Sequence, residues 1–336
     1  MTTTAATGEP SCSVRFAWDE ELPAVRQFLA ANFPADGHQN RRGWLDWQIQ
    51  PPGDARFAVA MIGDELAGLS IFQRVEFLLP GGRRADGAFA SCTMVQERFR
   101  RHGIGSALHR LRAESYGCAL SSGQSQANAK VYGRLEFAEV AAYHEILWQR
   151  TWPRFFPRKR WLRHLFSWFC THLPSRFFPR TQFAIMPNEA FEIPEDWFAA
   201  RSSDGRFCLN GNEFLAWRYK GHPYLAYTAS WVVQNGERIG LVIHRGVPGG
   251  GVRLVDAYWA SAALGRVLAG FCQQIDAKYV DGVVAGERLA AAFRQAGFHV
   301  FSHGTRVLGR SSDPTFQPYL VDGQWCFFAG DSDKDR

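Results

Sequence analysis

The first 150 residues combine two hydrophobic periods, one typical of helices and one of strands. Apolar residues recur every third or fourth position over 19–33, 104–116 and 128–135, and this spacing predicts three helices. Strands are predicted where apolar residues alternate or run together, near Val14 and over 56–62, 66–75, 77–79, 88–95, 118–121 and 140–149. The resulting order, β-α-β-β-β-α-β-α-β, predicts an α/β (α+β) domain with a mixed sheet that ends near residue 150.

Residues 187–310 repeat this arrangement in outline. Three short segments have counterparts in the same order along the chain: WLDWQ at 44–48 and FLAWR at 214–218, GDELAGL at 63–69 and NGERIGL at 235–241, RLEF at 134–137 and QAGF at 295–298. Three matches in the same order favour a diverged internal duplication over two unrelated α/β domains.

Composition excludes several classes of protein. Hydrophobic residues make up 46% and charged residues 21%, so we expect a globular chain with disorder confined to 1–12 and the tail at 331–336. The sequence contains no run of eighteen apolar residues, so no membrane-spanning helix is predicted. The first residues do not resemble a signal peptide. Seven scattered cysteines without a CxxC pair argue against a metal site or a disulfide framework, and they favour a cytoplasmic protein.

The most informative chemistry lies between the predicted strand 88–95 and the helix 104–116. Gly103 and Gly105 open the helix, and Arg100 and Arg101 precede them. Glycines let backbone amides approach a ligand closely, and a helix N-terminus offers unpaired N–H donors. The Gly-Lys-Ser/Thr of a Walker loop is missing, and Leu108 is too large for the third glycine of a Rossmann fingerprint. The segment therefore predicts a site for a di-anion such as a pyrophosphate.

Arg100-x-x-Gly103-x-Gly105 resembles the acetyl-CoA loop of the GCN5-related N-acetyltransferases, the GNAT superfamily. Asn128, Tyr132 and the segment LEF at 135–137 resemble a second stretch of that family, with Glu136 where the family carries glycine. The resemblance covers about residues 13–150. It implies a mixed-sheet GNAT fold and acetyl-CoA as acyl-donor substrate, with no metal.

The resemblance also implies roles for individual residues. Loop amides would bind the CoA pyrophosphate, and the end of the preceding strand would pair with the pantetheine arm. The implied cofactor-binding residues are Met94, Val95, Gln96, Arg100, Arg101, His102, Gly103, Ile104, Gly105, Ser106 and Asn128. Tyr132 stands at the family position of the general acid that protonates the leaving thiolate.

The general base stays open. The strand before the loop contains no carboxylate, so the candidates lie elsewhere: Glu76, Asp86, Glu97, His144 and Glu145. Cys92 is a possible nucleophile, but no adjacent base is predicted for it.

The implied organisation is two GNAT-like domains in tandem. Residues 1–12 are disordered, 13–150 form the acetyl-CoA-binding domain, 151–186 a basic aromatic helical connector, 187–310 a degenerate GNAT-like domain, and 311–336 a C-terminal extension and tail. The second domain is called degenerate because 256–265, where its phosphate loop should fall, has no Arg-x-x-Gly-x-Gly.

Residues 150–180 hold eight Lys or Arg, no Asp or Glu, and nine Phe or Trp. The net charge of +6 falls to −2 without them, so the basic character is local and argues against a general nucleic-acid binder. The helical spacing over 158–173 fits a helix packed between the domains. It also fits an interfacial helix on an anionic membrane, and a surface for single-stranded nucleic acid is a third interpretation.

The predicted function is an acyl-CoA-dependent N-acyltransferase. The resemblance implies transfer from acetyl-CoA to a primary amine of a small molecule or amino sugar, by direct attack on the thioester. Two alternatives stay open: an aminoacyl-tRNA-dependent transferase of the tandem GNAT type, and a non-catalytic, membrane-peripheral binding protein with a vestigial CoA site. The predicted location is the cytoplasm, including the inner face of the membrane.

Overall fold

The computed structural model describes residues 12–78, 84–123, 126–149, 183–198, 211–260, 264–321 and 323–331. The disorder predicted for 1–12 lies almost entirely outside these ranges, and so do residues 151–182 of the predicted connector. Within the described ranges, no helix is long and apolar enough to cross a membrane.

The described residues form one mixed sheet with helices on both faces. The strands are β1 (Cys12–Phe16), β2 (Ala55–Ile62), β3 (Glu65–Leu78), β4 (Arg84–Val95), β5 (Cys118–Ser122), β6 (Ala138–Gln149), β7 (Phe183–Pro187), β8 (Thr228–Gln234), β9 (Glu237–Val247), β10 (Gly251–Trp259), β11 (Tyr279–Ala285), β12 (His299–Arg310) and β13 (Phe327–Phe328). The helices are α1 (Leu22–Asn32), α2 (Trp44–Ile49), α3 (Ile104–Ser115), α4 (Gln126–Arg134), α5 (Asn212–Leu215), α6 (Leu264–Gln274), α7 (Glu287–Gln295) and α8 (Gln317–Leu320). The mixed α/β class and its repetition in the second half are confirmed.

The strand order shows that the two halves exchange their last strands. The order is β1-β2-β3-β4-β5-β12-β6-β11-β10-β9-β8-β7, with β13 beside β11. Strand β12 of the second half pairs with β5, strand β6 of the first half pairs with β11, and β6 and β12 pair with each other. Neither half of the sheet is therefore complete without a strand from the other, and the order is symmetric about the β6–β12 pair.

Alternation along the strands places apolar side chains on both faces of the sheet. In β3, Leu69 and Ile71 are fully buried beneath α1 and α2, whereas Phe72 is fully buried on the face that α3 covers. This is the period of two that a strand buried on both sides requires. The predicted strands 66–75 and 77–79 are one strand, because β3 pairs with β4 without a break from Val75 to Leu78.

Glu136 stands where the family carries glycine, and the turn at this position is still formed. Its φ is +58°, in the left-handed region, and the Phe137 amide donates to the Tyr132 carbonyl at 3.1 Å. The second half has the same turn with glycine, since Gly297 has φ +90° and the Phe298 amide donates to the carbonyl of Phe293. The replacement of glycine therefore changes the conformational energy of the turn but not its shape.

Candidate active site

Strands β4 and β5 run parallel and then separate. They pair from Gly87 and Cys118 as far as Ala90 and Ser121, and beyond that point β4 has no partner in β5. Ser91 is an extra residue in β4, because β3 pairs with Ala90 and then with Cys92. A bulge of this kind bends its strand and increases the local twist. The divergence leaves a V-shaped opening along the part of β4 that does not pair with β5.

The opening is a cleft of about 900 Å³. Its described lining comes from β4, the following loop, the first turn of α3, the end of β5 and α4: Ala90, Ser91, Cys92, Thr93, Met94, Val95, Phe99, Arg100, Arg101, Gly103, Ile104, Gly105, Ser106, Ser121, Ser122, Gly123, Asn128, Val131, Tyr132 and Arg134. None of these described residues is acidic, and three are arginines. The cleft therefore favours an anionic ligand.

The loop presents backbone amides to the cleft. Gly103 caps α3 with φ +78°, and Arg101 also has a left-handed φ, of +72°. No side chain of a described residue caps the helix, so the first amides of α3 remain available as donors. A Cβ added to Gly105 would have one neighbour within 4 Å, Val95 at 3.9 Å. The space beside Gly105 is thus open to a ligand.

Most of the residues predicted from the sequence line this cleft. They are Met94, Val95, Arg100, Arg101, Gly103, Ile104, Gly105, Ser106, Asn128 and Tyr132. Gln96 and His102 are not part of the lining. The Gln96 side chain donates instead to the carbonyl of Leu66 at 2.8 Å, and His102 Nδ1 lies 3.0 Å from the carbonyl of Arg100.

Tyr132 is buried at the inner end of the cleft. Its ring lies between His109 and Phe137, at centroid distances of 4.5 and 4.7 Å. Its hydroxyl is 2.7 Å from Ser121 Oγ and 3.2 Å from His109 Nδ1. Sequence reasoning missed Ser121 and His109. A histidine five positions into the helix that follows the loop was the available signal for one of them.

His109 is held in its neutral form. Burial in the protein and the charge of Arg112, one turn further along α3, lower the pKa of His109 to about 3. Arg112 is itself fully buried, and its guanidinium makes no hydrogen bond to any described residue.

The candidate bases lie outside the cleft, so none of them is placed to take a proton from a bound amine. Glu76 pairs with Arg84, and Asp86 with Arg74, far along β3 and β4 from the loop. Glu97 is 91% exposed. The other two candidates lie on β6, separated from β5 by β12, where His144 is 3.1 Å from Glu287 and Glu145 is 3.9 Å from His303. Cys92 lines the cleft.

The second half fills the corresponding opening with its own chain. Beyond Gly282, strand β11 leaves β10 and pairs with β13 through Phe327 and Phe328, both fully buried. The counterpart of Tyr132 across the matching turn is Phe293, which has no hydroxyl. As far as the described residues show, the second half therefore has β13 in place of an open cleft and a phenylalanine in place of the tyrosine.

No protein-family model and no curated protein match the sequence. Solved structures do match the fold. A probable N-acyltransferase of unknown function from Enterococcus faecalis has a TM-score of 0.60 at 13% identity, covering 90% of this chain and 73% of that one.

Two GCN5-related N-acetyltransferases are similar to a comparable degree. The one from Anabaena variabilis has a TM-score of 0.58 at 12% identity and covers 90% of this chain and 73% of its own. The one from Kribbella flavida has a TM-score of 0.57 at 15% identity, with coverage of 94% and 74%. Together with the separated β4 and β5 and the repeated strand order, these likenesses show that the chain has the GCN5-related N-acetyltransferase fold, built twice in tandem.

Proposed function

We propose that this protein is an acyl-CoA-dependent N-acyltransferase that transfers an acetyl group from acetyl-CoA to the primary amine of a small molecule or amino sugar. The cleft between β4 and β5 is the observation that supports the proposal best. It combines an uncapped helix N-terminus with Arg100 and Arg101, and it has no acidic residue in its described lining. Amide donors with paired arginines suit the pyrophosphate of CoA.

The pantetheine arm would extend along β4. Beyond Ala90 this strand has no partner in β5, so its amides and carbonyls can pair with the two amides of pantetheine as an added strand would. In that position the thioester reaches the inner end of the cleft, beside Ser121 and Tyr132.

The chemistry requires no covalent enzyme intermediate. The amine nitrogen attacks the thioester carbonyl, the C–S bond breaks, and the thiolate takes up a proton while the nitrogen releases one. Tyr132 and its hydrogen-bond partners supply the first proton. Because no carboxylate lines the described cleft, we assign the second proton to water.

A calorimetric titration with acetyl-CoA tests the donor site. We expect one acetyl-CoA per chain, since residues of β13 occupy the corresponding opening of the second half. Gly105→Glu should weaken binding at least tenfold, because the carboxylate would enter the pyrophosphate site. Gly133→Glu is the matched control, since a Cβ at Gly133 meets nothing within 4 Å and this residue is not part of the cleft lining. Unchanged binding in Gly105→Glu would place the donor site elsewhere.

Thiol release in the presence of a panel of amines tests the transfer itself. Amine-dependent release of free CoA supports the enzyme. Binding of acetyl-CoA without release would favour the non-catalytic alternative, and the absence of binding would favour an aminoacyl-tRNA donor.

A further inference from the structure

Three polar side chains form a buried chain of hydrogen bonds at the inner end of the cleft. Ser121 on β5, Tyr132 on α4 and His109 on α3 are 4%, 2% and 0% exposed. Only Ser121 and Tyr132 belong to the lining, so His109 lies behind them as seen from the cleft. The two links are 2.7 Å from Ser121 to Tyr132 and 3.2 Å from Tyr132 to His109.

The location of the histidine proton decides the direction of these hydrogen bonds. A neutral imidazole carries one N–H, and its other nitrogen is an acceptor. His109 Nε2 is buried and has no hydrogen-bond partner in the part of the chain that the structure describes. A proton on Nε2 would leave a buried donor unsatisfied, which costs roughly 1–3 kcal/mol. A proton on Nδ1 is used, because Nδ1–H donates to the Tyr132 hydroxyl.

With the proton on Nδ1, the remaining hydrogen bond is also fixed. The Tyr132 hydroxyl accepts from His109 and is free to donate its own proton to Ser121 Oγ. The opposite tautomer would point the Tyr132 proton at His109, away from the cleft.

Arg112 helps to keep His109 neutral. It is buried on the same helix, and its charge opposes protonation of His109. The Cys118 thiol on β5 also feels the charge of Arg112, and burial raises the pKa of Cys118. Among the described residues, no carboxylate contributes to the pKa shift of His109.

We propose that His109, Tyr132 and Ser121 form a hydrogen-bonded proton relay in which Ser121 is the group that protonates the leaving thiolate. This inference rests on the proposed function. As the C–S bond breaks, the thiolate takes the Ser121 hydroxyl proton, and Ser121 takes the Tyr132 proton. The negative charge left on Tyr132 accepts the Nδ1–H hydrogen bond of His109. After the products leave, the proton that the amine gave to water returns to Tyr132 through Ser121. His109 is a positioning residue that keeps its proton throughout.

Nitrogen NMR on protein labelled with ¹⁵N-histidine tests the tautomer without any assay of activity. The chain has ten histidines, and the signals that disappear in His109→Asn belong to His109. We expect the neutral Nδ1–H form from pH 8 down to pH 5, and a shift of these signals in Tyr132→Phe. An Nε2–H tautomer, or titration at the ordinary pKa of about 6.5, would overturn the proposal.

Kinetics then test the relay. Ser121→Ala and Tyr132→Phe should each lower kcat at least about tenfold with KM for acetyl-CoA unchanged, and the double variant should be no slower than the slower single variant. His109→Asn keeps an N–H donor near the Nδ1 position and should retain most of kcat, whereas His109→Leu should not. Thermal melts identify any variant that fails to fold. Additive losses in the double variant would contradict a relay. If no amine supports transfer, the proposed function fails while the NMR result still decides the hydrogen-bond direction.

Discussion

Trp47 and Trp217 stack on each other with ring centroids 4.5 Å apart and an angle of 13° between their planes. Each indole N–H donates to the backbone carbonyl of the other tryptophan, at 3.0 and 2.8 Å. The two residues occupy equivalent positions in the WLDWQ and FLAWR segments. The contact is therefore self-complementary, as at the axis of a symmetric dimer, although both partners belong to one chain.

This reciprocity predicts strong coupling between the two tryptophans. Trp47→Ala and Trp217→Ala should each lower the free energy of unfolding by about 3–5 kcal/mol, the usual cost of truncating a buried tryptophan. The double variant should lose clearly less than the sum, because either change alone removes the whole stack. Denaturant unfolding of the four proteins measures this. Trp18→Ala, at a side chain that is 62% exposed, is the control. Additive losses would show that the stack contributes little beyond burial.

The duplication is readable from the sequence, but the strand exchange is not. The segments around Trp47 and Trp217 both keep the tryptophan that the stack requires. The segments around Glu136 and Gly297 keep the same left-handed turn before a phenylalanine, although the residue at the turn differs. The choice of β11 rather than β5 as partner of β6 depends on contacts between residues far apart in the chain. Both partners are apolar strands, so no local period distinguishes them.

The sequence likewise predicts one part of the candidate site and not the other. The amides of the loop follow from Gly103 and Gly105, which the sequence shows directly. The relay partners of Tyr132 come from α3 and β5, and only the packing of these elements brings them together. The closure of the second cleft depends on Phe327 and Phe328, in a segment that sequence reasoning assigned to a C-terminal extension.

The two matching turns predict opposite effects of opposite substitutions. Glu136→Gly should raise the free energy of unfolding by about 0.5–1 kcal/mol, because glycine adopts a left-handed φ without strain. Gly297→Ala should lower it by a similar amount. A Cβ at Gly297 meets nothing within 4 Å, so backbone conformation is the only cost. Thermal denaturation of both variants measures the effects. A loss of stability in Glu136→Gly would mean that contacts of the Glu136 side chain outweigh the strain.

The neutral His109 predicts a loss of stability in acid. Its pKa of about 3 in the folded protein lies below that of an unfolded histidine, so the unfolded state binds the extra proton first. The stabilisation is complete above pH 6.5 and is lost as the pH falls towards 3. Between pH 6.5 and pH 5 the loss is roughly 2 kcal/mol.

His109→Asn removes this pH-dependent contribution, so the stability of the variant should be less sensitive to acid than that of the parent protein. Urea unfolding at pH 7 and pH 5 measures the difference. His244, whose pKa burial lowers to about 4, remains in both proteins and cancels in the comparison. The exposed His102→Asn is the control. If the parent and His109→Asn lose the same stability between pH 7 and pH 5, His109 is protonated in the folded protein at pH 5.

The basic aromatic segment 150–180 predicts a dependence on lipid charge if it binds a membrane. Its eight basic residues would each contribute roughly 1 kcal/mol near an anionic surface, an attraction that salt screens. Co-sedimentation should then require anionic liposomes, weaken as salt rises, and fall when Arg158, Lys159 and Arg160 are changed to Glu. The same charge change at the exposed residues Arg42, Arg110 and Lys130 is the control and should leave sedimentation intact. If the segment is instead packed between the two halves, its aromatic face is already covered. In that case the protein will not co-sediment with any liposomes, even at low salt.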